Sequence, residues 1–400
     1  MSNQKFISAS EFCDLVTDGT HDSPKKTETG IKLVTSKNIV GGSLDLTSAY
    51  FISELDARNI NKRSQVHIND VLLSMIGTVG EVALIEKEPD FVIKNVGLLK
   101  NSDSKKARWL YYYLKSPISQ NLIKDRLRGT TQQYIPLGEL RNLPILKPNS
   151  EEHLQNTIEQ LSSLDKKIQL NTQINQTLEQ IAQALFKSWF VDFDPVRAKV
   201  QALSDGLSLE LAELAAMQAI SGKTPEELTA LSQAQPDRYA ELAETAKAFP
   251  CEMVEVDGVE VPKGWEVKRI DEVIQKIPVG KKYSSKTAFS EGLVPILDQG
   301  RSGVIGYHND KPGIKASIED PIIVFANHTC YMRLISYDFS AIQNVFAFKG
   351  KECNLYWLYL ATLGKQEFVE YKGHFPDFLI KEIIAPPKEL TELFGKYIKE

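Results

Sequence analysis

Cysteine, long apolar runs and net positive charge are all scarce in this chain. Its four cysteines, Cys13, Cys251, Cys330 and Cys353, are scattered with no CxxC pair. That spacing argues against a disulfide scaffold or a thiolate zinc site, and predicts reduced thiols in a cytoplasmic protein. No apolar run approaches the roughly 18 residues that a membrane helix needs. The opening MSNQKFISAS is too polar to read as a signal peptide. Among 400 residues, 47 bases stand against 52 acids, and a net charge of −5 lies far from the basic footprint of a nucleic-acid-binding domain. The six histidines (21, 67, 153, 308, 328 and 374) are too dispersed to suggest a metal site or a triad.

Catalytic signatures are missing as well. No Asn/Asp-Pro-Pro-aromatic run of an amino-methyltransferase occurs, since Asp194 and Pro195 are followed by Val196. A P-loop needs a glycine five residues before its Gly-Lys, and before Gly222-Lys223 that place is Met217. Asp257, Glu266 and Lys268 have the spacing of a Mg²⁺-dependent nuclease, in which two carboxylates hold the metal and a lysine polarises the attacked phosphate. This trio, with Val256 where a proline is expected, is the alternative reading of the chain.

What is present is unevenly distributed. Residues 201 to 260 hold 12 acids and 3 bases, so the rest of the chain is net positive. Residues 1 to 150 have 20 bases and 16 acids, and residues 261 to 400 have 19 and 17. Mild positive charge on both flanks permits contact with nucleic acid without arguing strongly for it. At 400 residues the chain is long enough for two or three domains.

Between the flanks, Leu154 to Trp189 read as one amphipathic helix, with no Gly or Pro until Pro195. One seam row is Leu161, Ile168, Asn175, Ala182 and Trp189; the other is Leu164, Asn171, Leu178 and Leu185. Asn171 and Asn175, adjacent in the middle of the seam, are the polar residues that fix register in a coiled coil. These 36 residues would span roughly 54 Å, the length of about 16 base pairs. The aromatic end, Trp189, Phe190 and Phe193, is read as buried against the second flank in preference to a docking surface. The stretch from Ser208 to Ala248, broken by Pro225 and Pro236, predicts two or three short helices.

The flanks repeat one another. Asp70–Ser74 (DVLLS) is answered by Asp320–Val324 (DPIIV), and Asn95–Lys100 (NVGLLK) by Asn344–Lys349 (NVFAFK). Trp109-Leu110-Tyr111 recurs as Trp357-Leu358-Tyr359 at the start of a helix-like stretch. A Gly-led loop follows, Gly129 to Pro136 against Gly373 to Pro376, and then an apolar strand running into Pro148 or Pro387. The expected fold class is α+β: two tandem domains of mixed, mostly antiparallel sheet with helices, separated by a long coiled-coil-like helix. The expected limits are 1–150 and 261–390 for the two repeats, 151–196 for the spacer and 197–260 for the acidic Ala/Leu-rich helical insertion. Residues 391–400 would begin a distal helix. Asn95 and Asn344, within the repeated strand-like runs, read as structural residues that cap or bridge strands and not as base contacts.

Three motifs carry a family resemblance: Leu170–Lys199 (LNTQINQTLEQIAQALFKSWFVDFDPVRAK), Val261–Ile274 (VPKGWEVKRIDEVI) and Asp18–Lys25 (DGTHDSPK). With them the chain resembles the specificity subunit of type I restriction-modification systems over nearly its whole length. The resemblance implies a non-catalytic subunit with two target-recognition domains, each reading half of a split double-stranded DNA sequence. It implies two methyltransferase subunits and restriction/translocase subunits as partners. No cofactor is expected on this chain; S-adenosylmethionine, ATP and Mg²⁺ belong to the partners. Family members carry a second long helix after the second domain, of which only Leu393, Phe394, Tyr397 and Ile398 would remain here. The seam is therefore expected to be covered by a second copy of the chain or by a partner.

Base edges are read best by Arg, Lys, Asn and Gln, and phosphates by Lys, Arg and hydroxyls, so loops dense in these types are the candidate contacts. In the first repeat they are Thr20, His21, Ser23, Lys25, Lys26, Lys37, Asn38, Arg126, Arg128, Thr130, Thr131, Gln132, Gln133 and Tyr134. In the second they are Lys281, Lys282, Tyr283, Ser284, Lys286, Gln299, Arg301, Asn327, His328, Tyr331, Arg333, Lys372 and His374.

Overall fold

A computed structural model describes residues 5–256, 258–300, 303–366 and 373–399. The chain divides into two compact units, Met1–Gln173 and Ile174–Glu400.

In the first unit, strand Phe6–Ser8 pairs antiparallel with Pro144–Leu146, joining the start of the fold to its end. A four-stranded antiparallel sheet follows, in the order Leu15–Asp18, Val96–Lys100, Val71–Ser74, Val82–Leu84. Val71–Ser74 is buried at every position, as a strand covered on both faces must be. A second sheet sets Ile31–Val34 between Tyr50–Ile52, antiparallel, and Phe91–Ile93, parallel. Helix Ser104–Lys115 brings Trp109, Leu110 and Leu114 into the core, and the Asp103 carboxylate caps its first turn by accepting from the amides of Lys105 and Lys106.

The second unit builds the same framework from other residues. Glu266–Arg269 pairs antiparallel with Glu382–Ala385. The four-stranded antiparallel sheet runs Ile274–Ile277, Val345–Gly350, Ile322–Ala326, Met332–Ile335. In the second sheet Val294–Leu297 again lies between an antiparallel neighbour, Val304–His308, and a parallel one, Ser340–Ile342. Lys282–Tyr283 adds one more strand beyond Ser340–Ile342. Helix Leu355–Thr362 answers Ser104–Lys115 and is capped in the same way by the Asn354 side chain. The repeats noted in the sequence thus fall on strands of the same rank and direction. The expected class, α+β with mixed and mostly antiparallel sheet, is borne out.

The long helix runs Glu151–Phe190, 40 residues, with Glu151 and Glu152 at its positive end and Lys187 at its negative end. Its first turns pack into the first unit through Leu154 and Ile158. In the second unit its end is buried as expected: Trp189, Phe190 and Phe193 are at most 5% exposed, in a core shared with Trp265, Trp357 and Phe394. Phe193 takes a left-handed φ of 57°, and Pro195 begins the next helix, Asp194–Ser204. The seam between these anchors is open to solvent. Leu164, Ile168 and Leu178 are exposed, and so are Leu170, Ile174 and Ile181, which lie outside the expected rows. Asn171 and Asn175 are exposed too, and Leu161 and Leu185 are half-buried.

The acidic segment folds as Leu209–Ser221, Pro225–Ala234 and Pro236–Ala248, three helices after Asp194–Ser204. Gly222 closes the first in the left-handed region and the Thr224 hydroxyl caps the second, so Ser221–Thr224 is a helix corner. Lys199 is buried, and its Nζ donates to the carbonyls of Ala246 and Phe249 at 2.8 and 2.7 Å.

Burial pushes the thiols of Cys13 and Cys353 up to about 12; Cys13 is buried, and Cys251 and Cys353 are both partly exposed. Thiolate is the reactive form. At pH 8 the native chain is expected to lose Cys251 to iodoacetamide while Cys13 and Cys353 stay unlabelled, as peptide mass mapping would read.

Candidate nucleic-acid interface

In both units the candidate loops gather at one end of the four-stranded sheet. In the first unit that end is made by the segment after Leu15–Asp18, which holds Thr20 to Lys26, the segment after Val71–Ser74, which Gln133 meets at Gly77, and the turn before Val96–Lys100. Because the strands are antiparallel, all three lie at the same end. The segments after Ile274–Ile277 and Ile322–Ala326 and the turn before Val345–Gly350 are their counterparts. Each turn carries an asparagine in the left-handed region, Asn95 at φ 53° and Asn344 at φ 65°. It passes the chain from the second sheet to the first. Asparagine tolerates this backbone better than most side chains.

Around Asn95 the hydrogen bonds are continuous. His21 Nδ1 sits 2.7 Å from Asn95 Oδ1, and its Nε2 sits 3.1 Å from Asp18 Oδ2. The ring itself is 63% exposed while Asp18 is 3% exposed, and Asp18 is also paired with Arg63. The Asn95 amide donates to the Thr20 carbonyl, and the Ser36 hydroxyl donates to the Asn95 carbonyl at 3.3 Å and accepts from the Ile76 amide. Gly77 N–H donates to the Gln133 carbonyl. Gly19 is required here, because a Cβ would stand 2.4 Å from the Ile93 carbonyl oxygen.

Gln133 belongs to a hairpin that the sequence patterns did not reveal. Arg128 and Tyr134 exchange backbone hydrogen bonds, Gly129 turns at φ 87°, and Thr130, Thr131, Gln132 and Gln133 form its exposed tip. Arg128 Nη2 lies 2.8 Å from Glu139, and half-buried Arg126 donates to the Leu122 carbonyl. Ser23 accepts from Lys94, Lys26 lies over the Tyr50 ring, and Lys25 and Lys37 are exposed. Asn38 is buried, its amide accepting from Thr35 and donating to Asp45 and Ser48.

In the second unit His328 Nε2 lies 3.1 Å from Asn344 Nδ2, and the His328 amide donates to Gln299 Oε1 at 2.8 Å. Buried Asn327 accepts from the amide of Phe375 through Oδ1 and from the amide of buried His374 through its carbonyl. Arg333 covers the Tyr331 ring and donates to the carbonyls of Asp298 and Gly303. Lys281, Tyr283 and Asp310 form a separate group: Tyr283 stacks on His308 at 4.1 Å and donates to Asp310, which Lys281 also meets at 2.7 Å. Lys282, Ser284 and Lys286 are exposed. Arg301 and Lys372 lie outside the described residues.

Among the described residues no cluster of three or more His, Cys, Asp or Glu could hold a metal ion. Of the nuclease trio, Asp257 lies outside the described residues, and Glu266 and Lys268 are paired with each other along one face of their strand. That alternative finds no support.

Residues 1–180 match the family of the type I restriction modification DNA specificity domain. The chain is 67% identical over 181 residues to the type I restriction enzyme HindI specificity subunit of Haemophilus influenzae, covering 44% of this chain and 39% of that protein. It is 30% identical over 141 residues to the MjaIX specificity subunit of Methanocaldococcus jannaschii, covering 35% and 32%. The chain thus matches less than half the length of these curated relatives. A solved type I S subunit from M. genitalium aligns with 100% of this chain and 90% of that one, at 15% identity and a TM-score of 0.45. The family resemblance read from the motifs is borne out.

Proposed function

We propose that the chain is the DNA sequence-recognition subunit of a type I restriction-modification complex and carries no chemistry of its own. Each unit reads one half of a bipartite duplex target through the loops at the asparagine-bearing end of its four-stranded sheet. The recurrence of that end, twice in one chain with the same strand order, is the observation that carries the reading. Among the described residues, the best base and phosphate contacts are drawn from the candidates whose side chains remain exposed: His21, Lys25, Lys37, Arg128, Gln132 and Gln133 in the first unit, Lys282 and Lys286 in the second.

The helix Glu151–Phe190 serves as the spacer that holds the two halves of the target apart. Its exposed Leu164, Ile168 and Leu178 offer a helix-pairing seam to a methyltransferase subunit or a second copy of the chain. S-adenosylmethionine, ATP and Mg²⁺ act on the methyltransferase and restriction partners, in the cytoplasm. No described helix is long and apolar enough to cross a membrane.

Coexpression with a methyltransferase chain, followed by single-molecule sequencing of the host genome, tests the reading. The expected result is modification at two short specified sequences with an unspecified gap. Cleavage of DNA by the purified chain with Mg²⁺ alone would overturn it. Within that complex, Arg128→Ala and His21→Ala are each expected to weaken target binding by about 1–3 kcal/mol, roughly 5- to 150-fold. Fluorescence anisotropy at several salt concentrations measures this, and unchanged affinity for both variants removes them from the reading surface.

A further inference from the structure

Two of the three bases in the acid-rich insertion meet in one place. Residues 201 to 260 contain only three bases, Lys223, Arg238 and Lys247. Lys223 and Arg238 line a single cavity of about 430 Å³, and Lys396 of the final helix joins them in its wall. Among the described residues, none of Lys223, Arg238 and Lys396 forms an ion pair within 4.0 Å, although Glu241 and Glu244 stand in the same wall. Arg238 Nη1 donates, among the described residues, to Gln235 Oε1 alone, at 3.3 Å. The wall thus carries three cations against two carboxylates, and an anion placed among the cations offsets that excess.

The remainder of the lining narrows the class of ligand. Leu242 and the Tyr397 ring give the hollow an apolar side, and the volume lies in the range of small-molecule sites. Glu241 and Glu244 stand in the same wall, two carboxylates that would repel a second anionic group but accept hydrogen bonds from hydroxyls. Carboxylates bind ribose diols in this way in dinucleotide-binding folds. The corner Ser221–Thr224, which has no phosphate-loop spacing, is what carries Lys223 to the cavity.

We propose that this cavity binds a small organic monophosphate bearing hydroxyl groups, a nucleoside or sugar monophosphate. Lys223, Arg238 and Lys396 hold the phosphate, Glu241 and Glu244 the hydroxyls, and Leu242 and Tyr397 the apolar body. The site is separate from the DNA-reading loops, and its occupancy does not depend on the recognition role.

Isothermal titration of the full chain with AMP, ribose 5-phosphate and inorganic phosphate tests it. AMP or ribose 5-phosphate is expected to bind one to one, more tightly than inorganic phosphate, and at least tenfold more weakly to the Arg238→Gln/Lys396→Gln chain. Binding of ribose 5-phosphate as tight as that of AMP assigns the site to sugar phosphates, and tighter binding of AMP assigns it to nucleotides. The double variant's helical circular dichroism and thermal midpoint establish that it is folded. Three outcomes overturn the proposal: no binding of either organic phosphate up to about 5 mM, an affinity unchanged by the double substitution, or inorganic phosphate binding as tightly as both.

Discussion

Trp189→Ala is expected to destabilise the second unit by about 3–5 kcal/mol, the usual cost of truncating a buried tryptophan to alanine. The indole is 0% exposed and touches four other rings: Phe190, Phe249, Phe394 and Tyr397, with centroids 5.4 to 6.1 Å away. It therefore ties the end of the long helix to the insertion and to the final helix Lys388–Lys399. The surrounding side chains come from three separate stretches of chain, so the site cannot collapse around a methyl group without shifting all of them. Trp189→Phe keeps most of these ring contacts. Its Nε1 has no acceptor among the described residues, so the phenyl ring gives up no hydrogen bond to them, and a loss of about 1 kcal/mol is expected. Urea unfolding followed by circular dichroism checks both. Loss of the transition assigned to the first unit would contradict the placement of Trp189 in the second.

Asp18→Ala is the corresponding test of the first unit, with an expected loss of about 2–3 kcal/mol. The carboxylate is 3% exposed and serves two partners, Arg63 and His21. Removing one member of a buried pair costs about 3–5 kcal/mol, and the half-exposed Arg63 guanidinium, which water can reach, lowers that figure. The functional effect should exceed that of an ordinary destabilised variant. His21 would keep only its Asn95 contact, and the freed ring would no longer be held at a fixed orientation at the end of the sheet. In complex with the proposed methyltransferase partner, target binding is expected to fall by at least the loss expected for His21→Ala, even at temperatures where the variant is fully folded. Wild-type affinity in the folded Asp18→Ala chain would separate His21 from recognition.

The parts of the fold legible in the sequence are those set by local pattern. Val71–Ser74 and Ile322–Ala326 declare themselves as apolar runs, Glu151–Phe190 by its heptads and lack of breakers, and the insertion helices by Pro225, Pro236 and Thr224. The left-handed turns were visible as a repeated Asn-Val without a stated backbone reason; the positive φ of Asn95 and Asn344 supplies it. Contacts between distant residues were not legible. Nothing local links Asp18 to Arg63, His328 to Asn344, or Gly77 to Gln133, because sheet topology alone brings them together. For the same reason, residue type could not separate exposed His21 from buried His374 or exposed Lys37 from buried Asn38.

The middle of the long helix has a consequence for how such a chain can change. From Lys166 to Ile181 every residue is exposed, so this stretch packs into neither hydrophobic core. A crossover between two related genes within it would join intact halves, and the heptad phase would remain continuous wherever the helices are aligned. New pairings of the two units could then arise by shuffling, in one step and without re-evolving either core.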